Sequence, residues 1–167
     1  MKKWSKVKKI LEDDCLCEAL KGRVEYFNTR YRCADDQAGR ICILVDKKEI
    51  LSMSSLKEYE LYDLAHNMSP PDQSMKEAYE NVDEIVCSKG IFAPWDFEEA
   101  FEIYQNQKIS ESIHSENLLV KLFAILDRRV GKRSLTALED ECSGWPKWLR
   151  YFYQLRMESS KMPQRGA

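Results

Sequence analysis

"GRVEYFNTRYRCADDQAGRICILVDKKEILSM", residues 22–53, decides the fold. After Gly22 the pattern takes a period near two, with Val24, Tyr26 and Asn28 on one side and Phe27, Thr29 and Tyr31 on the other. "CADDQAGR" (33–40) is rich in turn formers, and "ICILV" (41–45) reads as a second strand. "DKKE" (46–49) is a tight turn and "ILSM" (50–53) a third strand. Three strands joined by short turns predict an antiparallel meander. Such a sheet needs helices over one face to be stable.

The flanking segments supply them. Across 4–20, Trp4, Val7, Ile10 and Leu11 share a face and Lys6, Lys8 and Lys9 lie off it, which predicts an N-terminal helix stopped at Gly22. Beyond the sheet, "SLKE" (Ser55, Glu58), "SMKE" (Ser74, Glu77) and "DFEE" (Asp96, Glu99) have capping-box spacing. They predict helices over 56–67, 75–89 and 97–107, with breakers at "SPPD" (69–72) and "KGIFAPWD" (89–96). Leu118, Leu119, Leu122, Phe123, Ile125, Leu126 and Val130 give 116–130 the broad apolar surface of a central helix. Helices over 134–142 and 146–158 follow, and 159–167 reads as a loose tail. The expected fold class is α+β: an N-terminal helix, a three-stranded antiparallel meander, then a C-terminal helical bundle packed on it. One domain over 1–158 is expected, with a helix and sheet part at 1–67 and a helical part at 68–158.

Composition narrows the classes. The 167 residues are 44% apolar and 32% charged, which suits a globular chain. "ICILV" falls far short of the ~20 apolar residues that span a bilayer. The basic opening "MKKWSKVKKIL" lacks the apolar core of a secretory signal, so the expected address is cytoplasmic, with no membrane contact. Six cysteines (15, 17, 33, 42, 87, 142) contain no C-x2-C clasp, and neither His66 nor His114 has a cysteine beside it. They read as small buried hydrophobes, and no metal or cofactor is expected. There is no G-x-G, P-loop, G-x-S-x-G or H-E-x-x-H, so the expectation is a non-enzyme. The enzymatic alternative would use Asp35 and Asp36 beside the nearby arginines.

Charge is segmented behind a net value of −2. Residues 1–50 carry +3 (twelve basic against nine acidic), 51–127 carry −10 (five against fifteen) and 128–167 carry +5 (nine against four). No arginine lies between Arg40 and Arg128. The plain account is acidic middle helices contacting basic flanks; the sharper one is a bipolar surface that steers a charged partner.

"LDRRVGKRSL" (126–135) concentrates the basic charge in Arg128, Arg129, Lys132 and Arg133. As a helix corner, Gly131 would turn left-handed, Ser134 would cap the next helix, and the cations would surround the negative helix end. Asp127 and "EDE" (139–141) are candidates to hold the arginines as ion pairs. A phosphate or an acidic protein partner is the functional alternative.

The words "KWSKVKK" (3–9), "LKGRVEY" (20–26), "YR" with "DDQAGR" (31–40), "VDKKEI" (45–50) and "LDRRVGKRSL" resemble an uncharacterised family of small bacterial cytoplasmic proteins. In it a K-W-S-K opening, an L-K-G-R-V-E strand and a D-R-R-V-G-K-R-x-L corner recur in this order. The likeness spans about Trp4 to Tyr153 and departs at "EDDCLCEA" (12–19) and around Trp145 and Trp148. It implies no activity; an accessory or immunity role is implied by analogy with relatives of this kind.

The strands point to a contact surface. Arg23, Glu25, Arg30, Arg32, Asp36 and Arg40 sit in or beside them with Tyr26 and Tyr31, and Tyr and Arg anchor protein interfaces. The plain account is a wet sheet face laced by Arg–Glu pairs. The expected partner is another protein, met through these residues and the corner at Arg128, Arg129, Lys132 and Arg133. The alternative is RNA or DNA bound by the N-terminal lysines and that corner. Helix, three strands, helix is also the order of a double-stranded-RNA-binding domain. Here, however, Glu58, Glu60 and Asp63 follow Lys57 and would repel a phosphate backbone.

Overall fold

The computed structural model describes residues 3–30, 39–68 and 72–159, with the backbone alone at Arg30. α1 (Trp4–Lys9) passes into a π-helical turn, Ile10–Asp14, where Cys15 N–H donates to Ile10 O at 2.8 Å. The expected 4–20 helix is therefore broken. Tertiary pairing overrides helix propensity here: Cys17 N–H donates to Leu126 O and Arg128 N–H to Cys15 O, drawing 15–17 into a bridge with the distant 126–128. A short 3-10 turn, Glu18–Leu20, leads to Gly22, whose φ of +76° turns the chain into the sheet.

β1 (Val24–Arg30), β2 (Gly39–Val45) and β3 (Lys48–Met53) form the antiparallel meander. Asp46 and Lys47 both take positive φ, as a two-residue primed hairpin requires, and Val45 pairs Lys48 across the turn. A fourth strand joins. β4 (Ile91–Phe92) lies parallel to β3, within the stretch read from sequence as a breaker. Gly90 permits the turn: it sits at φ +80°, and a Cβ there would lie 3.1 Å from the Trp148 ring. On the opposite border, Glu12 of the π turn accepts a 2.6 Å hydrogen bond from Tyr26 N–H at the free edge of β1.

The helices are α2 (Leu56–Met68), α3 (Met75–Ser88), α4 (Pro94–Asn106), α5 (Ile109–Ser112), α6 (Leu118–Leu126), α7 (Lys132–Thr136), α8 (Glu139–Cys142) and α9 (Lys147–Ser159). The Ser74–Glu77 capping box forms as the sequence predicts. "DFEE" does not act as one: α4 starts earlier, at Pro94, and Asp96 accepts from Ala93 N–H at 2.7 Å. The expected 134–142 helix is divided into α7 and α8, and α5 was not anticipated.

One face of the meander is dry. Val24 and Tyr26 of β1, with Ile41, Ile43, Val45, Leu51 and Met53, meet Phe97 of α4 and Phe123 of α6. Phe97 and Phe123 meet edge to face at 5.3 Å, and Tyr26 lies 6.1 and 6.4 Å from them. Every residue of α6 from Leu119 to Leu126 is buried, as suits a helix apolar nearly all round. Asn117 caps it, accepting from Leu119 and Val120 N–H. α2 and α3 stand apart as a hairpin with a small core of Ala65, Ala78 and Val82.

Candidate functional site

The outer face of the meander follows from strand parity. Rows across it read Glu25–Leu44–Glu49, Phe27–Cys42–Ser52 and Thr29–Arg40. Phe27 is 40% exposed, with the Lys8 ammonium 4.5 Å from its ring. Around this small apolar centre run ion pairs. Arg40 Nη1 lies 2.8 Å from Glu49, Lys47 Nζ 2.7 Å from Glu25, and Arg23 grips Asp46 with two bonds of 2.8 and 2.9 Å. The Arg23 hydrogen bond holds the Asp46 carboxyl below its ordinary range. Each such exposed pair stabilises by only ~0.2–1 kcal/mol, so their main effect is to orient the rim. Cys42 lies buried beneath these side chains, and burial pushes its thiol up.

Of the residues expected on this surface, Arg23, Glu25 and Arg40 are brought together. Tyr26 is not: it is 1% exposed and belongs to the core, because it shares strand parity with Val24 and pairs Ile43. Burial drives its hydroxyl pKa up. Phe27, on the other parity, is the aromatic that the face offers. Arg32 and Asp36, like Tyr31 and Asp35, lie outside the described residues, as does the side chain of Arg30.

The basic corner differs from the expected one. α6 ends at Leu126, and Gly131 is extended (φ −76°, ψ 163°) as the N-cap of α7, so neither a left-handed glycine nor a Ser134 cap forms. The reversal is made by Asp127, which is buried and accepts the Tyr104 hydroxyl, the Arg129 N–H at 2.7 Å and the Arg129 guanidinium at 2.6–3.1 Å. Asp127 raises the Arg129 pKa further, and burial followed by Asp127 raises that of Tyr104. Arg129 thus serves the fold. Arg128, Lys132 and Arg133 are exposed, and so is Arg129 at 51% even with its guanidinium on Asp127. α9 seats the corner, with Tyr153 OH donating to Leu135 O and Arg156 to Val130 O.

A third place carries the opposite charge. A 690 Å³ cleft between α3, α4 and the start of α6 is lined by Glu80, Asp83, Glu84, Asp96, Glu99 and Glu116. Two of these carboxylates hold Lys57, which is only 5% exposed and lies 2.8 Å from Asp83 and 2.9 Å from Asp96. Burial opposes the ammonium charge, yet the two carboxylates outweigh it and hold the Lys57 pKa above its ordinary value. The neighbouring Cys87 thiol is pushed up to about 12, chiefly by burial, which disfavours the thiolate at neutral pH. Among the described residues no cluster of His, Cys, Asp and Glu has the arrangement to hold a metal ion, and no helix is long and apolar enough to cross a membrane.

A family model matches residues 3–157, spanning the sheet, the corner and the cleft. The chain belongs to the SF0329 protein family. No curated protein and no solved structure shows a significant match to it.

Sequence reasoning missed two parts of this SF0329 protein. Lys57 read as one cation among carboxylates on its own helix, and its partners lie on α3 and α4, one of them 39 residues away. Phe27 was legible. The alternation that puts Val24 inward puts Phe27 outward, and that signal stood in the strand.

Proposed function

We propose that this SF0329 protein is a non-enzymatic protein-binding module of the bacterial cytoplasm, accessory or immunity-like in role. It meets its partner through the outer face of the meander. The observation that carries this reading is Phe27, 40% exposed with the Lys8 ammonium of α1 over its ring and oriented ion pairs around it, on the face of the sheet opposite Phe97 and Phe123. An anchor ring inside a polar rim that excludes water is the usual anatomy of an interface centre. Arg23, Glu25 and Arg40 would exchange or extend their pairs with charges of the partner.

The test compares proteins captured from a bacterial lysate by the wild type and by a Phe27→Asp/Arg40→Glu variant, with circular dichroism to verify folding. A protein retained by the wild type and lost by the folded variant supports the reading. Identical capture by both, or no capture by either, counts against it. The competing reading, RNA or DNA held by the α1 lysines and the corner, is weakened because Arg129 is committed to Asp127. A salt titration against mixed-sequence RNA decides it: affinity that falls steeply with salt would favour nucleic acid over protein.

A further inference from the structure

α2 is apolar on two sides and buried on one. Leu61, Leu64 and Ala65 face α3, joined by the inward Lys57. On the opposite side Leu56, Tyr59 and Tyr62 are 64, 72 and 56% exposed. Their spacing of three residues aligns them on one stripe, continued by His66, whose ring lies 3.9 Å from that of Tyr62 at a tilt of 38°. A soluble helix ordinarily turns one apolar stripe inward and a polar face outward. Here the outward face carries three large side chains in line.

The charges beside the stripe name its occupant. Glu58 flanks it on one side and Glu60 and Asp63 on the other, all in α2, whose one lysine is turned inward to Asp83 and Asp96. No exposed lysine or arginine stands on α2. We infer that the Leu56–Tyr59–Tyr62 stripe is a second docking surface, for a basic amphipathic helix of another protein. Leucine-type residues would cover Leu56 and the tyrosine rings, and arginines or lysines would reach Glu58, Glu60 and Asp63 or lie over the ring faces. A second copy of this chain is the poorer occupant, since like faces meeting about a two-fold axis would bring Glu58, Glu60 and Asp63 near their own copies. This surface lies on a different element from the meander and does not depend on the function proposed for that face. The stripe is only ~15 Å long, so the contact belongs to the small, transient class of interface.

The probe is a synthetic 18-residue helix of leucine and arginine with its leucines at i, i+3, i+4 and i+7. It is compared with a scrambled peptide of the same composition that has no apolar face. Each is titrated into the full chain and followed by amide NMR shifts. The inference expects shifts centred on Leu56–His66, and binding of the scrambled peptide weaker by at least about fivefold. It also expects a loss of about tenfold or more in Y59S/Y62S, with unchanged circular dichroism because both rings lie outside the packing, and no loss in F27S. Equal affinity for the scrambled peptide would reduce the attraction to diffuse charge and overturn it. So would an absence of binding, or shifts centred on the α3–α4 cleft or the meander. Concentration-dependent self-association abolished by Y59S/Y62S would assign the stripe to a second copy, and would overturn it too.

Discussion

The body around α6 and the α2–α3 hairpin are both helical and hold together by different means. In the body, three rings interlock with a helix buried along almost its whole length. In the hairpin, two helices of 13 and 14 residues share a core of two alanines and a valine. Hydrophobic stabilisation scales with apolar area removed from water, so the hairpin gains far less from burial. Its root is held instead by an ion cluster, Lys57 between Asp83 of α3 and Asp96 of α4. The contrast teaches that one chain can hold a dense core and a loosely founded appendage side by side. The appendage is where low-energy local opening is expected.

The largest effect should come from the body. Asp127→Ala strips a buried carboxylate from Tyr104 and Arg129 and leaves the Tyr104 hydroxyl without its acceptor. Urea titration should register a loss of about 2–3 kcal/mol with an unchanged slope, because the buried Tyr104 hydroxyl is orphaned while Arg129, 51% exposed, rehydrates. Lys57→Met comes next. It leaves Asp96 largely buried and unpaired, but Asp83 is 49% exposed and rehydrates, so the cost is nearer about 2 kcal/mol. Hydrogen exchange localises it: amides of α2 and α3 should speed up while those of α6 hold. Equal acceleration in both would erase the distinction between body and hairpin.

A pH series probes the body again. A hydrogen bond from Lys121 holds the Glu141 carboxyl below its ordinary value near 4.5. A carboxylate with a lowered folded pKa contributes stability above its unfolded value and loses it as the pH falls through the folded one. Stability should therefore drop below pH 4.5, and Glu141→Gln should flatten that limb by under about 1 kcal/mol, as befits a half-exposed partner. The smallest effect lies at the β2–β3 turn. Lys47 holds a φ of +67° that glycine adopts freely, and in its ion pair the lysine is 75% exposed while Glu25 is 17% exposed. Lys47→Gly should be stabilising by about 0.5 kcal/mol in thermal melts. A loss instead would show that the pair outweighs the backbone.

What was legible in the sequence is what short-range chemistry dictates. Strand alternation and turn residues gave the meander, Ser74 and Glu77 the start of α3, and six apolar residues between Leu118 and Leu126 the central helix, which stops short of the expected Val130. What was not legible depends on partners far along the chain. β4 has only two residues, and its pairing exists because β3 offers an edge. The departure from helix at Cys15 depends on Leu126 and Arg128. The corner was half read: Asp127 does hold an arginine, whereas Glu141 of "EDE" turns to Lys121. Tyr26 failed for another reason, since residue type was weighed above parity.

Glu12 has a wider consequence. By occupying the Tyr26 N–H, it plugs the main-chain socket through which a foreign strand would extend the sheet past β1. Recruitment by strand donation is barred at that point. A visitor arriving there meets a carboxylate rather than an open backbone donor, and is sorted by its side chains instead of by a main chain that every polypeptide shares.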